Sequence, residues 1–252
     1  MTTHGRTAVV TGAGRGIGAA IASRLARDGF HVVAVDLDGG LAEQTARSVA
    51  GTSAQLDVTD KGAAIAFAAT LSRADALVNN AGIFPPAPIA DVDPDQFRKV
   101  MDVNVLGTLI MTQALLPLLT AAADAAIVNI ASIAAKVVTP GTAAYSPSKS
   151  AVVSLTKLCA VELADRGIRV NAIAPGGVRT EGTAAVSVDP DREARFNALV
   201  PAGRRAAPDD IADAVPFFLN SDSRYVTGQV LYVDGGLTEA TINYLRAAQS
   251  VH

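Results

Sequence analysis

Two side chains capable of proton transfer, Tyr145 and Lys149, stand four residues apart in a stretch with a helical pattern. Residues at i and i+4 share one helix face, so the lysine ammonium can lie beside the phenol. A free tyrosine has a pKa of about 10, and a neighbouring cation favours the phenolate. The pair can therefore act as a general acid and base at a substrate oxygen. Because the same spacing is common on ordinary helix surfaces, the pair needs support from other residues.

A glycine-rich turn, Thr-Gly-Ala-Gly-Arg-Gly-Ile-Gly at residues 11–18, separates a first strand-like run from a predicted helix. Glycines let the backbone turn sharply and approach a pyrophosphate, and the helix N-terminus offers free N–H groups and a positive dipole end. Glycines also occur in ordinary tight turns, so the strand before and the helix after are what favour dinucleotide binding. The residues of this turn that we expect at the cofactor are Gly12, Gly14, Arg15, Gly16, Ile17 and Gly18.

An acidic residue, Asp36, follows the second strand-like run, His31 to Val35, about 20 residues after the turn, where a carboxylate can bind the adenosine ribose hydroxyls. It would also repel a 2′-phosphate, which favours NAD over NADP as the cofactor. Arg15 weighs against this preference, because an arginine in the turn could pair with a phosphate. The alternative for Asp36 is a solvated loop carboxylate. Leu37 is expected at the same end of the cofactor.

Short apolar runs alternate with helical patterns along the chain. Strands are predicted over Thr7–Val10, His31–Val35, Ala54–Leu56, Ala76–Val78, Ala126–Ile130, Ile168–Ile173 and Gln229–Val233. Helices are predicted over Ile17–Asp28, Leu41–Val49, Ala63–Leu71, Asp95–Leu119, Tyr145–Asp165 and Asp209–Leu219. Continuous Val/Ile/Leu runs are typical of strands buried on both faces. The alternation predicts an α/β fold, a Rossmann-like, doubly wound parallel sheet with helices on both faces.

Composition narrows the possible functions. The chain has 252 residues, half of them hydrophobic and 18% charged, which predicts a large core and argues against disorder. We expect one NAD-binding catalytic domain over 1–252, with a core at 7–236 and a tail at 237–252. That tail either packs on a neighbouring subunit or the pocket, or frays. The net charge is −3 without any basic block, which argues against nucleic acid as a partner.

Metal and membrane functions are not expected either. The single cysteine, Cys159, excludes an internal disulfide, and with only three histidines no metal site is predicted. The N-terminus lacks the long apolar region of a signal peptide, and the uninterrupted apolar runs are shorter than a membrane span. A soluble, cytoplasmic protein without a membrane partner is therefore expected.

The motifs together resemble those of the short-chain dehydrogenase/reductase family, from Thr7 to Gly236. The turn has the family's Thr-Gly-x-x-x-Gly-x-Gly spacing, and Tyr145 and Lys149 match its Tyr-x-x-x-Lys motif. The further matches are Asp57-Val58, Asn79-Asn80-Ala81-Gly82, Asn104, Ser132, and Pro175-Gly176-Gly177-Val178-Arg179-Thr180. Ala131 and Ala134-Ala135 depart from the common pattern. They remove no catalytic atom but can change the shape of the substrate pocket.

The resemblance implies roles for these residues. Asn104, Ser132, Tyr145 and Lys149 would be catalytic: Ser132 holds the substrate oxygen near the Tyr145 hydroxyl, and Asn104 anchors a water that passes protons to Lys149. An asparagine can alternatively bond to nearby backbone. The expected cofactor contacts beyond the turn, Asp36 and Leu37 are Asp57, Val58, Asn80, Ala81, Gly82, Tyr145, Lys149, Pro175, Gly176, Val178 and Thr180. The implied reaction is hydride transfer between NAD(H) and a secondary alcohol or ketone, and homotetramers are common among relatives.

The substrate and two rival functions stay open. The loops at 84–91 and 133–142 are apolar, which favours a small or medium ketone or alcohol. The loop at 177–205 mixes arginines with acids, as in an exposed lid, although one arginine could bind an acidic substrate group. The rivals are an acyl-carrier or CoA-linked 3-ketoacyl reductase, which needs a basic mouth and usually NADP, and a catalytically silent NAD-binding sensor. A sensor predicts loss of the tyrosine or the lysine, and both are present.

Overall fold

A seven-stranded parallel sheet forms the centre of the computed structural model, which describes residues 5–138, 140–180 and 190–240, without the side chains at 190 and 192. Its order, β3-β2-β1-β4-β5-β6-β7, reverses direction between β1 and β4. The strands are β1 Thr7–Thr11, β2 His31–Asp36, β3 Thr52–Gln55, β4 Ala76–Asn79, β5 Ala125–Ile130, β6 Ile168–Pro175 and β7 Val230–Val233. The predicted doubly wound parallel α/β fold is therefore confirmed.

Helices cover both faces of the sheet. In the described part of the chain the α-helices are α1 Gly16–Arg27, α2 Gly39–Ser48, α3 Lys61–Ala69, α4 Pro94–Met101, α5 Gly107–Ala121, α6 Tyr145–Glu162, α7 Pro190–Leu199, α8 Pro208–Ala212 and α9 Val215–Leu219. A π-helical turn, Asp102–Leu106, joins α4 to α5.

The strand pattern divides the core into two layers. Successive strand side chains point to opposite faces, so Ala8 and Val10 pack on one side of β1 and Val9 on the other. The first layer includes Ile21 of α1 and the helices α8 and α9, and the second includes Leu115 of α5. Both layers consist mainly of buried aliphatic side chains. The two faces of the sheet are therefore covered by apolar packing, and the polar groups of the site lie at the carboxyl ends of the strands.

Three predicted elements differ in the structure. The single helix expected over Asp95–Leu119 is interrupted by the π-turn, and the one expected over Asp209–Leu219 is divided into α8 and α9. The loop expected at 177–205 contains α7, which begins with a proline and acidic residues. Positions 181–189 of that loop and 241–252 of the tail lie outside the described residues, while Leu237–Glu239 form a 3₁₀ turn.

The continuous helical unit Pro94–Ala121 corrects the expectation about membrane-spanning length. Taken together, α4, the π-turn and α5 are long and apolar enough to pass a membrane-span test by length and composition alone. That expectation rested on the length of uninterrupted apolar runs, and this criterion does not detect an apolar helical unit that also contains polar residues. Within it, Met111, Leu115 and Leu119 are fully buried in the second core layer. Core packing therefore accounts for the apolar character of this face of the helix.

Candidate active site

A cleft of about 2030 Å³ opens at the carboxyl ends of the strands, where the strand order reverses. In doubly wound sheets this is where ligands bind. The predicted site residues that line it are Gly12, Arg15, Gly16, Ile17, Gly18, Asp36, Leu37, Asp57, Val58, Asn80, Ala81, Gly82, Ser132, Tyr145, Lys149, Pro175, Gly176, Val178 and Thr180. Gly14 and Asn104 lie behind the cleft wall.

The glycine turn forms a backbone cradle on one side of the cleft. Gly12 has a φ of +61°, a left-handed conformation that side chains disfavour. A Cβ on Gly18 would lie 2.0 Å from the Gly12 carbonyl oxygen, so α1 can start this close to the turn only with glycine there. The first N–H groups of α1 and its positive dipole end face the cleft. The cradle therefore fits the pyrophosphate of a dinucleotide.

Thr11 and Asn80 join the ends of β1 and β4 beneath this cradle. The Thr11 hydroxyl accepts hydrogen bonds from the backbone N–H groups of Asn80 (3.0 Å) and Ala81 (3.1 Å). The Asn80 amide donates in return to the carbonyls of Thr11 and Gly12, both at 3.0 Å. Sequence reasoning assigned no separate role to Thr11, although it opens the glycine motif. These bonds hold the two strand ends in one position at the switch point.

Asp36 supports the glycine turn as well as facing the cleft. One carboxylate oxygen accepts from Gly14 N–H at 2.8 Å, and the other accepts from Asp38 N–H at 3.0 Å. A Cβ on Gly14 would lie 2.8 Å from the first of these oxygens and 2.7 Å from the Leu41 Cβ, so the turn can approach Asp36 this closely only with glycine there. A carboxylate oxygen can accept more than one bond, so Asp36 retains capacity for a ribose hydroxyl. The bond between Gly14 and Asp36 therefore fixes the glycine turn relative to the end of β2.

Asp57 and Val58, which follow β3, line the cleft next to the end of β2. The Asp57 carboxylate accepts from the backbone N–H (2.9 Å) and the hydroxyl (2.7 Å) of Thr59. Val58 packs tightly on α5, where a Cβ on Gly107 would lie 2.6 Å from a Val58 methyl. Hydrogen bonds to Thr59 therefore fix Asp57, and packing on the start of α5 fixes Val58 as an apolar side chain in the cleft wall.

Tyr145 and Ser132 meet at the opposite wall of the cleft. Tyr145 begins α6 and Ser132 follows β5, so the two side chains lie together in the cleft wall. Burial raises the pKa of the Tyr145 phenol above its ordinary value, while the nearby Ser132 hydroxyl acts on it in the other direction. Ser132 also accepts from Ala134 N–H at 3.1 Å, which orients its hydroxyl. The two hydroxyls are thus positioned to bind one substrate oxygen together.

Lys149 lies beside Tyr145, as its spacing on the helix predicts. Its ammonium donates to the Ile130 carbonyl at 2.8 Å and lies 5.7 Å from the centre of the Tyr145 ring. Burial lowers the pKa of Lys149 to about 8. The expectation that the lysine makes the phenol more acidic is therefore not met by the protein's own groups. Burial penalises the charged form of each group, so it raises the pKa of the phenol and lowers that of the ammonium.

Asn104 is held in the π-turn and uses its whole side chain for protein contacts. Its Oδ1 accepts from Ile83 N–H at 2.8 Å, and its Nδ2 donates to the Ile83 carbonyl at 3.1 Å and to the Ser148 hydroxyl at 3.0 Å. A Cβ on Gly82 would lie 3.2 Å from Asn104 Oδ1 and 3.5 Å from Lys149 Nζ, so the three residues are close neighbours. The side chain of Asn104 acts here as a clamp on backbone.

Phe84 is a feature of the site that motif reasoning did not single out within its loop. Its ring packs on Tyr145 with centroids 4.5 Å apart at 55°, and its other surface is half exposed to the cleft. The loop is pinned further along, where Ala87 N–H donates to the Gly141 carbonyl at 2.9 Å and Ala143 N–H to the Ala87 carbonyl at 3.2 Å. An aromatic residue directly after Asn-Asn-Ala-Gly-Ile was the available signal.

Charged groups on α7 and after it form ion pairs in the described part of the loop at 177–205. Glu193 accepts from Arg179 at 2.7 Å and from Arg205 at 2.8 Å, and Arg204 binds Asp210 at 2.6 Å. The Arg205 guanidinium also stacks 3.6 Å from the centre of the Phe196 ring. These pairs favour the mixed-charge lid over a strongly basic mouth.

Known proteins are similar in sequence to this chain over nearly its whole length. A family model described as enoyl-(acyl carrier protein) reductase matches residues 12–238. A 2-(S)-hydroxypropyl-CoM dehydrogenase of Xanthobacter autotrophicus is 41% identical over 91% of this chain and 95% of its own length. A D-threitol dehydrogenase of Mycolicibacterium smegmatis is 39% identical over 93% of each chain.

A solved structure is similar to this chain in both sequence and fold. It is a protein of Beutenbergia cavernae, provisionally assigned as an NAD(P)-dependent gluconate 5-dehydrogenase, with NADP bound at low occupancy. It is 41% identical, covers 94% of this chain and 98% of its own, and superposes with a TM-score of 0.88. With the glycine turn, the Ser132–Tyr145–Lys149 group and the sheet order in place, this chain belongs to the short-chain dehydrogenase/reductase family and is an oxidoreductase.

Proposed function

We propose that this protein catalyses the reversible oxidation of a secondary alcohol to a ketone with NAD as the cofactor. The observation that carries the proposal is the meeting of Ser132, Tyr145 and Lys149 in the same cleft as the glycine turn. The dehydrogenases of X. autotrophicus and M. smegmatis, by their names, act on hydroxylated substrates, which supports this class. The half-exposed Phe84 ring favours a substrate with an apolar group beside the reacting carbon.

The residues divide the work of the reaction. The glycine turn would hold the pyrophosphate, Asp36 the adenosine ribose, Asp57 and Val58 the adenine, and Lys149 the nicotinamide ribose. When bound, the nicotinamide supplies the hydride acceptor or donor. Ser132 and Tyr145 bind the substrate oxygen and orient the carbon that loses or gains the hydride.

Proton movement completes the balance. In oxidation the positive charge of the bound oxidised cofactor would favour the Tyr145 phenolate, which accepts the proton of the alcohol oxygen while the alcohol carbon gives up a hydride, so the products are ketone, NADH and one proton. In reduction the Tyr145 hydroxyl donates that proton to the ketone oxygen. Lys149, with its pKa lowered to about 8, can exchange a proton near neutral pH. It can therefore take the proton that Tyr145 gained in oxidation, or return one to Tyr145 after reduction.

One experiment tests the function and the role of Tyr145 together. A panel of secondary alcohols and ketones is followed by NADH absorbance with the wild type and with Tyr145→Phe. We expect turnover on at least one member of the panel and a loss of about 100-fold or more in the variant, because it lacks the proton-transfer group. NADH titration should give similar Kd values for both proteins. An inactive wild type that binds NADH would favour the sensor, and full activity of the variant would remove Tyr145 from the mechanism.

The second candidate, reduction of an acyl-carrier or CoA-linked substrate, is favoured by the description of the matching family model. It requires a basic surface at the cleft mouth to bind phosphopantetheine. Three of the arginines described there, Arg179, Arg204 and Arg205, are paired with Glu193 or Asp210, which reduces the free positive charge and favours the small alcohol. Including acetoacetyl-CoA in the panel separates the two, since the second candidate predicts that it is the preferred substrate.

We further propose a soluble, cytoplasmic homotetramer. The helix carrying Tyr145 leaves Leu158 (53%) and Val161 (78%) exposed on the face opposite the sheet, and Leu106 of the π-turn is also exposed. Exposed aliphatic groups of this size on neighbouring helices favour association between copies.

A further inference from the structure

The hydroxyl of Ser148 is a buried polar group between the two catalytic residues of α6. Its side chain is completely buried, with 0% exposed surface. It accepts a hydrogen bond from Asn104 Nδ2 at 3.0 Å and donates one to the Tyr145 backbone carbonyl at 2.7 Å. Its one proton and an acceptor lone pair are thus both engaged. A buried hydroxyl with two partners on different elements favours one arrangement of those elements.

The partner of Ser148, Asn104, reaches two elements because of the π-turn. A π-turn contains an extra residue relative to an α-helix and re-aims the side chains it holds. From this turn the Asn104 amide clamps both backbone groups of Ile83 and still donates to Ser148. The loop after β4, the π-turn and the start of α6 are therefore joined through one amide and one hydroxyl.

The same hydrogen bonds hold Tyr145 at its backbone and at its ring. On one side Ser148 holds the Tyr145 carbonyl, and on the other the clamped Ile83 precedes Phe84, whose ring packs on Tyr145 at 4.5 Å. Lys149 directly follows Ser148 and is itself fixed to the Ile130 carbonyl. A shift of Ser148 therefore changes the placement of the phenol and the ammonium together.

We propose that Ser148 is a positioning residue, which couples Tyr145 and Lys149 to the Asn104 clamp and so sets the phenol against Ser132. It touches no substrate or cofactor and acts through Asn104 and the Tyr145 backbone. The turnover readout of this inference rests on the proposed function, but the tie itself can be tested without any substrate.

Ser150 is the matched control for Ser148. It is also a serine of α6 whose hydroxyl donates back into its own helix, to the Ser146 carbonyl at 3.0 Å, but it is exposed. Within the described residues, its other side-chain hydrogen bond is a long one, 3.4 Å, to the Ala135 carbonyl. Ser148→Ala and Ser150→Ala therefore remove the same group from the same helix, and only the first breaks the bond to Asn104.

We expect Ser148→Ala to lower kcat about 3- to 10-fold, which is the effect of one net hydrogen bond on a barrier. Ser150→Ala should keep wild-type kcat. In a double-mutant cycle, adding Ser148→Ala to Asn104→Ala should cost little more kcat, because the two act through one contact. Additive losses, or a fall in Tm with unchanged kcat, would reduce Ser148 to an ordinary structural residue.

Amide hydrogen exchange at Ile83 tests the same tie in protein without substrate. Without an acceptor at Ser148, the Asn104 amide is held less firmly. The Ile83 N–H, which donates a hydrogen bond to Asn104, should therefore exchange about 3- to 10-fold faster in Ser148→Ala. It should be unchanged in Ser150→Ala. An unchanged rate in both variants would overturn the inference even if the enzyme proves active. An inactive wild type with faster exchange in Ser148→Ala would instead reject the proposed function and keep the tie.

Discussion

At the scale of single residues, spacing predicts neighbours better than it predicts their chemistry. The i, i+4 rule places Lys149 beside Tyr145, and the structure agrees. The same rule says nothing about solvation, which depends on packing between distant segments. Burial raises the Tyr145 pKa and lowers that of Lys149, so the expected acidic phenol is absent from the protein alone. Similarly, Asp36 was predictable as a carboxylate at a strand end, but its bond to Gly14 was not.

The lowered pKa of Lys149 predicts how stability depends on pH. Between about 8 and 10.5 the unfolded lysine holds its proton while the folded one has released it, so stability should rise with pH in that window. The gain is up to about 3 kcal/mol. Raised pKa values at Tyr145 and Cys159 act in the opposite direction above about 9 to 10, because there the folded groups keep their protons longer.

Comparison with Lys149→Met isolates this contribution, since the other groups remain. Urea unfolding of both proteins at pH 7.5 to 10 should give a difference in stability that grows in favour of the wild type as pH rises. A constant difference across that range would mean that the lysine is solvated in the folded protein.

Asp36 gives a prediction about cofactor preference. Asp36→Asn keeps an acceptor for Gly14 N–H but removes the charge that repels a 2′-phosphate, so the ratio of NADPH to NADH affinity should rise about tenfold or more. Asp60→Asn is the control, because Asp60 caps α3 through Ala63 N–H at 2.9 Å and does not line the cleft. Fluorescence titration with both cofactors measures the ratio. Tighter binding of NADPH by the wild type would reject NAD as the preferred cofactor.

At the scale of elements, hydrophobic periodicity found the strands and most helices but not their interruptions. A 3.6-residue pattern remains apolar across the π-turn, so the one-residue shift that aims Asn104 leaves little trace in sequence. The helix α7 was missed for the opposite reason, because its residues are mostly polar and charged. Its proline start and the acids Asp191 and Glu193 in its first turn are a recognised N-terminal signal.

Two glycines in first helical turns should respond oppositely to alanine. Gly18→Ala places a Cβ 2.0 Å from the Gly12 carbonyl, so α1 must shift and the protein should lose about 1–3 kcal/mol and bind NADH more weakly. Gly62→Ala in α3 meets only Asp60 Oδ1 at 3.4 Å, and should stabilise by about 0.5–1 kcal/mol. Thermal unfolding and NADH titration check both. Normal NADH binding by Gly18→Ala would show that the close approach is not needed for the cradle.

At the scale of the whole molecule, the doubly wound parallel sheet was predictable from the alternation of strands and helices, whereas the strand order and association were not. Which apolar helix residues stay exposed depends on how α5 and α6 pack, and only the structure separates Val152, which is buried, from Leu158. We therefore propose that the exposed face of α6 forms the interface of the predicted homotetramer.

Leu158 and Ile65 provide a matched test of that assembly, because each is 53% exposed and they lie on different helices. Leu158→Glu puts charge into the proposed interface and should shift the sedimenting species toward dimers or monomers. Ile65→Glu should leave the mass unchanged. Equal masses for both variants and the wild type would place the interface elsewhere or exclude a tetramer.

The contact between Phe84 and Tyr145 also offers a built-in optical probe. The chain contains no tryptophan, so Phe84→Trp would give a protein with a single indole, half exposed and next to the reacting phenol. Its emission overlaps the absorption of reduced nicotinamide, so energy transfer would report arrival of that ring at this wall of the cleft. Stopped-flow traces could then separate cofactor binding from the later filling of the space beside the indole by an alcohol.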